Sequence, residues 1–358
     1  MRKKFLYLLH TDWGWIKQRS QFIAEELYAL NIDLTVCYKL SPRRARLVRN
    51  ATSVPIFPAA FLPFTLRTKS ALRWSDIAIW RTFLRLYIKW HDVTHVIVTH
   101  PLLVDYIEGL NATIIYDCHD DNAEFYPEGA LKRLIAERHA TILRRSDLNV
   151  FSSRHLQEKF GQGTRSTVIR NGHSIAAGSV VGDGDGDGAD GREGRTFNLF
   201  YFGTISEWFD FDLIFDLLAA YDDLHITLIG PTDVLVRSHP RITYTGPMGH
   251  AELLRFAQQA DGFVMPFKVN PLIEGVDPVK LYEYLSYSVP VLSVRYAELE
   301  HFRGLVDFYN SASDARDIVG RYLGNRSATI DTAARENFLA SSTWRARAQC
   351  YAEALNHV

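Results

Sequence analysis

GFVMPFKVNPLIEGVDPVKLYEYLSYSVPVLSV (262–294) has the pattern of a strand, a helix and a second strand. The apolar runs at 262–267 and 289–294 are short and bounded by turn residues, whereas 277–287 has the composition of a helix. A helix between two such strands is the usual connection of a parallel sheet. The same alternation continues in both directions along the chain. We therefore predict an α/β protein built on parallel sheets.

The first half of the chain predicts one such sheet with its covering helices. Strands are expected at 5–10, 33–39, 94–99, 113–118, 147–152 and 167–171. Helices are expected near 19–30, 70–90, 128–144 and 153–160. The strands are almost continuously hydrophobic, which indicates that helices cover both faces of the sheet.

The second half repeats the pattern after a Gly- and Asp-rich tract at 176–196, which should be flexible. Further strands are expected at 198–203, 225–230 and 242–246, and further helices near 209–221, 249–259 and 311–323. We predict two Rossmann-like domains, 1–175 and 197–340, whose parallel sheets face a central cleft. A C-terminal helix at 341–358 should cross back to pack on the first domain.

Composition sets limits on function. The 358 residues have a net charge of −1, so the chain as a whole is not a polyanion binder. The three cysteines are far apart, without metal or redox spacing, and such a sparse set fits a reducing cytoplasm. The opening apolar run, Phe5 to Leu9, is too short for a signal peptide, and no run of 18 apolar residues exists that could span a membrane.

The start of the helix at 277–287 has the chemistry of a phosphate site. Asp277 and Pro278 have the pattern of an N-cap and a first helical residue. Lys280 would then lie in the first turn, with free backbone N–H groups, and Glu283 one turn further on the same face. A diphosphate needs N–H groups and a cation, and the neighbouring ribose needs a carboxylate. The alternative is an ordinary surface Lys–Glu pair.

This segment, DPVKLYEYLSYSVPVLS, resembles the donor-site motif of the GT-B glycosyltransferases. KQRSQFIAEEL resembles the first helix of that superfamily, VFSSRHLQEKF and VIRNGHS the end of its N-terminal domain, and YFGTISEWFDFDLI the start of its C-terminal domain. The chain is also similar to bacterial exopolysaccharide enzymes of the teichuronic-acid and xanthan-glucuronosyltransferase kind. The resemblance implies a GT-B fold with an acceptor-binding N-terminal domain and a nucleotide-sugar-binding C-terminal domain.

The resemblance also implies roles for single residues. Lys280 would contact the diphosphate and Glu283 the ribose. The other donor-side candidates are Gly203, Thr204, Phe267 and Leu281. The first two follow a strand end and would line the phosphate side, where glycine permits close backbone approach. Phe267 would stack on the nucleobase, unless it is a core aromatic.

One departure from the superfamily concerns the mechanism. Retaining GT-B enzymes often have two glutamates with seven residues between them. If Glu283 is the second, Gly275 takes the place of the first, and Glu274 is one residue away. The classical pair is absent or displaced, which favours an inverting mechanism.

An inverting enzyme needs a general base to deprotonate the acceptor hydroxyl. DCHDD (117–121) follows the strand TIIYDC and contains three carboxylates, so repulsion between like charges should raise one pKa. We assign the base to Asp120, with Asp121 and Asp117 as the next candidates. The alternative is a cluster of helix caps. Further acceptor-side candidates at neighbouring strand ends and in the first loop are His10, Trp13, Gln18, His100 and His119.

The segment Lys39–His91 has 11 Lys or Arg residues and one acidic residue, Asp76, and eight aromatic residues are interleaved with them. Such a surface suits an anionic membrane or a diphosphate-linked lipid acceptor. No nucleic-acid recognition motif accompanies the charge, so we expect no nucleic-acid partner. The alternative is a solvated basic face over a packed core.

Two acidic patterns imitate metal sites. DGDGDGADG matches the first positions of a calcium loop, but Gly194 stands where the twelfth-position glutamate is required, and a linker is the expected role. Asp210 and Asp212 form a D-x-D pattern at a helix start, where capping explains them. We predict no metal and no cofactor.

The sequence therefore predicts a glycosyltransferase of bacterial surface-polysaccharide assembly. It would move a sugar from a nucleotide-diphosphate donor, uridine-based, to a glycan or a polyprenyl-diphosphate-linked acceptor, with inversion. It would be cytoplasmic and peripheral on the inner face of the cytoplasmic membrane. The alternatives are a sugar-nucleotide epimerase with the same two domains and a non-catalytic nucleotide-sugar-binding protein.

Overall fold

The computed structural model describes residues 2–14, 17–41, 52–68, 70–174, 196–324 and 331–358. The chain forms two compact units. The first comprises Met1–Gly172, Gly275–Asp277 and Trp344–Val358, and the second comprises His173–Glu274 and Pro278–Thr343. The chain thus leaves the first unit after Gly172 and ends in it.

The strands of the described residues are, in chain order, β1 (Lys4–Leu9), β2 (Asp33–Lys39), β3 (Ile56–Ala59), β4 (His95–Val98), β5 (Thr113–Cys118), β6 (Leu148–Phe151), β7 (Ser166–Val168), β8 (Phe197–Phe202), β9 (Leu224–Ile229), β10 (Ile242–Gly246), β11 (Gly262–Met265), β12 (Val291–Val294) and β13 (Asp307–Tyr309).

The helices of the same residues are α1 (Arg19–Ala29), α2 (Ser70–His91), α3 (Val104–Ile107), α4 (Ala130–Arg145), α5 (Arg154–Phe160), α6 (Phe211–Ala220), α7 (His250–Phe256), α8 (Val279–Tyr284), α9 (Ala312–Gly324), α10 (Thr332–Ser341) and α11 (Trp344–Asn356). Within this part of the chain, no helix combines the length and the hydrophobicity that crossing a bilayer requires.

Each unit has one sheet whose strand pairs are all parallel. The first unit has the order β3-β2-β1-β4-β5-β6-β7, and the second has the order β10-β9-β8-β11-β12-β13. The central strands β1, β4 and β5 are almost wholly buried because both of their faces are covered, as their unbroken hydrophobicity predicted. The prediction of two α/β domains with parallel sheets is confirmed.

The first unit also contains α11, which packs on α1. Its buried stripe consists of Trp344, Ala348, Tyr351 and Leu355, and the Trp344 ring stacks on Phe22 of α1 at 5.0 Å between centroids. The helix begins at Trp344, three residues after the predicted start, because α10 ends at Ser341 and belongs to the second unit.

The sequence did not predict the edge strands β3 and β13 or the helices α3 and α10. β3 has Pro58 in its third position and β13 has three residues, so neither has the long apolar run that marks a central strand. The strand predicted at 167–171 ends at Val168, and the one predicted at 289–294 begins at Val291.

Candidate functional site

Helix α8 in the second unit begins one residue later than predicted. Pro278 is its N-cap residue and makes no side-chain cap, so the assignment of Asp277 as the N-cap was wrong. The Asp277 carboxylate instead accepts the backbone N–H of Asn171 at 2.6 Å, and its carbonyl accepts the Asn171 side-chain amide. Asp277 is buried in this contact within the first unit. The Asp277 side chain therefore binds Asn171, 106 positions away, and does not cap the helix.

Lys280, the second residue of α8, lies against the end of strand β8. Its side chain packs on Gly203 so closely that a Cβ atom at Gly203 would overlap Lys280 Cε. Its Nζ lies 5.4 Å from the centre of the Tyr201 ring and 5.1 Å from that of Phe267. Gly203 has a φ of +140°, which side-chain-bearing residues rarely adopt. Glycine at this position is thus required both by the backbone and by the lysine.

Gly230 supports the same position from the next strand. It follows β9, has a φ of +139°, and a Cβ atom there would overlap the carbonyl oxygen of Gly203. The Gly203 N–H donates to Ile229 O at 2.8 Å, and the Gly230 N–H donates to Gly246 O at 3.0 Å. Three glycines therefore line the carboxyl edge of β8, β9 and β10. Gly230 was not among the residues predicted from the sequence, although a glycine that ends a buried strand, as in LIGP, was the available signal.

Lys280 and Glu283 are half-buried and titrate abnormally. Burial lowers the pKa of Lys280 to about 8, although the negative charge of Glu283 opposes the shift. Burial raises the pKa of Glu283 to about 7, against the positive charge of Lys280. An ordinary surface pair would keep both pKa values near their usual range. The structure thus places a poorly hydrated cation and carboxylate at a glycine-lined strand edge.

The other donor-side candidates are less open. Phe267 is buried and makes an edge-to-face contact with Tyr201. It is therefore a core aromatic, the alternative given above, and offers no free ring face to a nucleobase. The Leu281 side chain is fully buried, and only its backbone can meet a ligand. Thr204 is half-buried, and its carbonyl accepts the Tyr201 hydroxyl at 2.6 Å.

Gly275 occupies the place of the first glutamate of retaining enzymes and has little room for a side chain. A Cβ atom there would lie 3.0 Å from Leu156 Cδ2 and 3.6 Å from His155 Cδ2, in the first unit. Glu274, the neighbouring carboxylate, is exposed. A glutamate at 275 would have to displace Leu156, and this agrees with the absence of the pair from the sequence.

In the first unit, Asp117 is a structural residue and not a candidate base. Its carboxylate is fully buried and accepts the Arg19 Nε and one terminal guanidinium nitrogen, both at 3.2 Å, and the Tyr7 hydroxyl at 2.9 Å. The same guanidinium donates to the Asn171 side chain at 3.2 Å. Because Arg19 and Tyr7 occupy the carboxylate, its assignment as a reserve base was wrong.

Asp121 is similarly occupied. One carboxylate oxygen pairs with Lys159 Nζ at 2.9 Å and the other accepts the Ala123 N–H at 3.3 Å, and the side chain is buried. The contact to Ala123 lies in a turn and α4 begins only at Ala130, so the carboxylate is held by Lys159 and the turn and caps no helix.

Asp120 differs from both neighbours. Its carboxylate is half-buried and lies 3.7 Å from His119 Nε2. Burial is the main cause of its raised pKa, the positive charges of His119 and Arg19 oppose the shift, and Asp121 adds a smaller rise. The raised pKa was predicted, but its expected cause, repulsion between like charges, is secondary to burial.

His10, His100 and His119 meet at the carboxyl ends of three adjacent central strands. The His10 ring centroid lies 4.8 Å from that of His100 and 5.7 Å from that of His119. Thr99 Oγ1 donates to Leu8 O, so it accepts from His10 Nδ1 at 3.0 Å, and the lone pair of His10 is on Nε2. His100 Nδ1 accepts the Leu102 N–H at 3.1 Å, which places the proton of its neutral ring on Nε2.

Burial is the main cause of pKa values well below the usual range for both His10 and His100, and the positive charges of neighbouring histidines and of Lys39 add to it. Both rings are therefore neutral at neutral pH. The neutral His10 ring has its lone pair on Nε2, which can accept a hydrogen bond from a hydroxyl group.

The two candidates of the first loop, Trp13 and Gln18, have different outcomes. Trp13 is buried and has no open ring face for a sugar, so its stacking role was wrong. Gln18 is exposed and is the N-cap residue of α1, where its backbone N–H donates to Gln21 Oε1 at 2.8 Å.

The acidic D-x-D pattern caps a helix, as the sequence predicted. Asp210 Oδ1 accepts the N–H groups of Asp212 and Leu213 at 3.1 and 3.2 Å, and Asp212 pairs with Arg237. The calcium-like tract lies outside the described residues. Among those that are described, no group of three or more His, Cys, Asp or Glu side chains is placed to hold a metal ion.

The two units have the fold of the GT-B glycosyltransferases. HepE of Anabaena, solved with UDP and glucose, matches 99% of this chain and 100% of its own with a TM-score of 0.74 at 14% identity. Sucrose-phosphate synthase of Thermosynechococcus elongatus matches 99% of both chains with a TM-score of 0.73 at 14% identity. The lipopolysaccharide outer core galactosyltransferase WaaB matches 99% of both chains at 0.69 and 14%. At these identities the likeness shows the fold alone.

In sequence, the chain is similar to the "Putative teichuronic acid biosynthesis glycosyltransferase TuaH" of Bacillus subtilis strain 168. The identity is 25% over 201 residues, which cover 50% of this chain and 49% of the relative. The chain thus spans about half the length of the curated relative that it matches. No protein-family model matches the chain.

Proposed function

We propose that this protein is a glycosyltransferase that moves a sugar from a nucleotide-diphosphate donor to a glycan or polyprenyl-diphosphate-linked acceptor in bacterial surface-polysaccharide assembly. The observation that carries the proposal is the packing of Lys280 on Gly203, where a half-buried cation meets the end of a parallel strand. Ligands of such folds bind outside the carboxyl ends of the strands. The similarity to a teichuronic acid glycosyltransferase supports the choice of pathway.

The donor would bind to the second unit. Lys280 would neutralise the diphosphate and Glu283 would accept hydrogen bonds from the ribose hydroxyls. Gly203 and Gly230 lack side chains, so the backbone is open to close approach by phosphate oxygens. A uridine nucleotide is our choice because a protein of the same fold was solved with UDP and glucose.

The acceptor would bind to the first unit, beside His10, His100 and Asp120. In an inverting displacement, Asp120 takes the proton of the acceptor hydroxyl as its oxygen bonds to the anomeric carbon. The bond from that carbon to the diphosphate breaks at the same time, and its electron pair leaves with the diphosphate. Lys280 then stabilises the charge that develops there. His10, with its lone pair on Nε2, is the second candidate for the same proton.

The acceptor chemistry also suggests where the protein works. A polyprenyl-diphosphate acceptor lies in a membrane, so we propose peripheral association with the inner face of the cytoplasmic membrane. The proposal requires no metal, because Lys280 and backbone N–H groups supply the positive charge.

A thermal-shift screen against UDP, GDP, dTDP and their sugars tests the donor site. A uridine nucleotide should raise the melting temperature of the wild type and leave Lys280→Ala unshifted. Asp120→Asn should keep the shift and lose transfer and donor hydrolysis, which would also exclude a purely binding protein. Absence of a shift with every nucleotide, or an equal shift in Lys280→Ala, would contradict the donor assignment.

A further inference from the structure

Helix α2 has an exposed apolar stripe that neither the donor site nor the acceptor site explains. Of the eleven large apolar side chains exposed in the described residues, six belong to this one helix. Five of them are Leu72, Ile79, Phe83, Leu86 and Trp90. At 3.6 residues per turn these five positions fall within about 60° of the helix circumference and extend along about 27 Å. They form a single stripe, which we call the α2 stripe.

The α2 stripe is distinct from the face by which the helix packs. Ile77, Leu84 and Ile88 are buried and belong to the core of the first unit. Ile79 is 65% exposed and Trp90 is 73% exposed. A soluble surface seldom concentrates large apolar residues in this way, and such a patch marks an interaction site.

The charge around the α2 stripe is positive after internal pairs are removed. Arg73 and Arg81 are held by acidic residues of the same unit, at 3.8 Å from Asp105 and 2.6 Å from Glu108. Asp76, the one acidic residue of the helix, is occupied by hydrogen bonds from the Leu62 N–H and the Tyr106 hydroxyl. Arg73 and Arg81, which the sequence suggested for a membrane surface, are therefore already paired within the protein.

Lys89 is exposed, directly precedes Trp90 and lies about 60° from the edge of the stripe around the helix. Its long side chain can reach phosphate groups while the apolar residues insert. The partner must therefore be apolar and anionic at once. Tryptophan, phenylalanine and aliphatic residues on one face with basic residues at its edge are the composition of helices that lie in the interface of an anionic bilayer.

We propose that α2 docks the protein on an anionic lipid surface, with the α2 stripe inserted among the acyl chains and Lys89 at the headgroups. The helix lies parallel to the membrane plane, since the stripe runs along its whole length. This inference rests on the peripheral membrane association proposed above and names the surface that makes it, but it does not depend on the donor site. A donor site that fails its own test would leave the docking surface unaffected.

Co-sedimentation of the full chain with vesicles tests the docking. The wild type should pellet with vesicles of phosphatidylcholine and phosphatidylglycerol in equal parts, and less with phosphatidylcholine alone or at high salt. Trp90→Ser should lower the apparent partition coefficient about tenfold. Trp74→Ser is the matched control, because Trp74 is 62% exposed on the same helix but lies well away from the stripe, and it should bind as the wild type does.

A charge-reversed variant, Lys89→Glu, should lose binding to the anionic vesicles only. Unchanged melting temperature and UDP shift would show that each variant is folded. Equal binding by the Trp90 and Trp74 variants, or no pelleting of the wild type at low salt, would overturn the proposal. A dimer in light scattering without lipid that Trp90→Ser dissociates would also overturn it, because the stripe would then be an interface between copies.

Discussion

Replacing Lys280 with methionine should stabilise the protein while it removes nucleotide binding. The pKa of this lysine falls from 10.5 to about 8 on folding, a difference of about 2.5 units, because burial disfavours the charged form. At about 1.36 kcal/mol per unit, the charged lysine costs the folded state up to about 3 kcal/mol. Methionine has a similar length and no charge. It leaves Glu283 without its cation, however, so the expected net gain is of the order of 1–2 kcal/mol.

The pH dependence of that gain has a fixed sign. Between the folded pKa of about 8 and the unfolded value of 10.5, the unfolded state binds more protons, so the wild type becomes more stable as pH rises through this window. Below a pH of about 8 the cost is fully present. The advantage of Lys280→Met should therefore be largest below the folded pKa and should vanish above the unfolded one.

Thermal unfolding with and without UDP measures both effects. The variant should melt about 4 °C higher than the wild type near neutral pH, and UDP should stabilise the wild type alone. Lys268→Met is the matched control, since this lysine is exposed and pairs with Asp212 at 3.9 Å. The control should change stability by less than about 0.5 kcal/mol. A Lys280→Met variant that melts lower than the wild type would refute the reasoning, because the lysine would then be a structural contact.

Three further outcomes follow from the same contacts. Because Lys280 must be protonated to hold a diphosphate, UDP affinity should fall about tenfold between about pH 7 and about pH 9, and titration calorimetry should find no such fall in Lys280→Arg. Asp117→Asn breaks a buried ion pair and should cost about 3–5 kcal/mol in urea unfolding, whereas Asp120→Asn should cost less than about 1 kcal/mol and abolish transfer. Gly203→Ala should displace the lysine and lose the UDP shift, whereas Gly304→Ala, with positive φ but open space, should keep it. An equal response of the two glycine variants would contradict the packing argument.

The fold could be predicted because its central strands are almost continuously apolar. β5 was placed at its observed bounds, because a strand covered on both faces is apolar along almost its whole length. The edge strand β3 was missed because Pro58 interrupts the pattern and one side of an edge strand has no partner to select for hydrophobicity. Among the described residues, local sequence therefore predicted every interior strand and missed one edge strand of each sheet.

The site was predicted less evenly, because the fate of a polar side chain depends on partners far along the chain. Asp277 was predicted to cap a helix, but its carboxylate instead binds Asn171, 106 positions away. Asp117 was predicted as a reserve base, but its carboxylate accepts hydrogen bonds from Arg19, 98 positions away. Lys280 was chosen from its place in the first turn of a helix and Gly203 from a family resemblance, and nothing in their spacing indicated that they touch.

The buried charged groups of this protein differ in whether contacts within the fold offset the cost of burying them. Arg19 and Asp117 are fully buried and satisfy each other, so they contribute to the fold. Burial raises the pKa values of Glu283 and Asp120 and lowers that of Lys280, in each case favouring the neutral form. A group held in this way gains most from a ligand that supplies the missing charge or proton. A diphosphate would restore the ammonium state of Lys280, and a hydroxyl proton is what a carboxylate of raised pKa accepts. The energetic cost of burying these three side chains thus supports the proposal that substrates contact them.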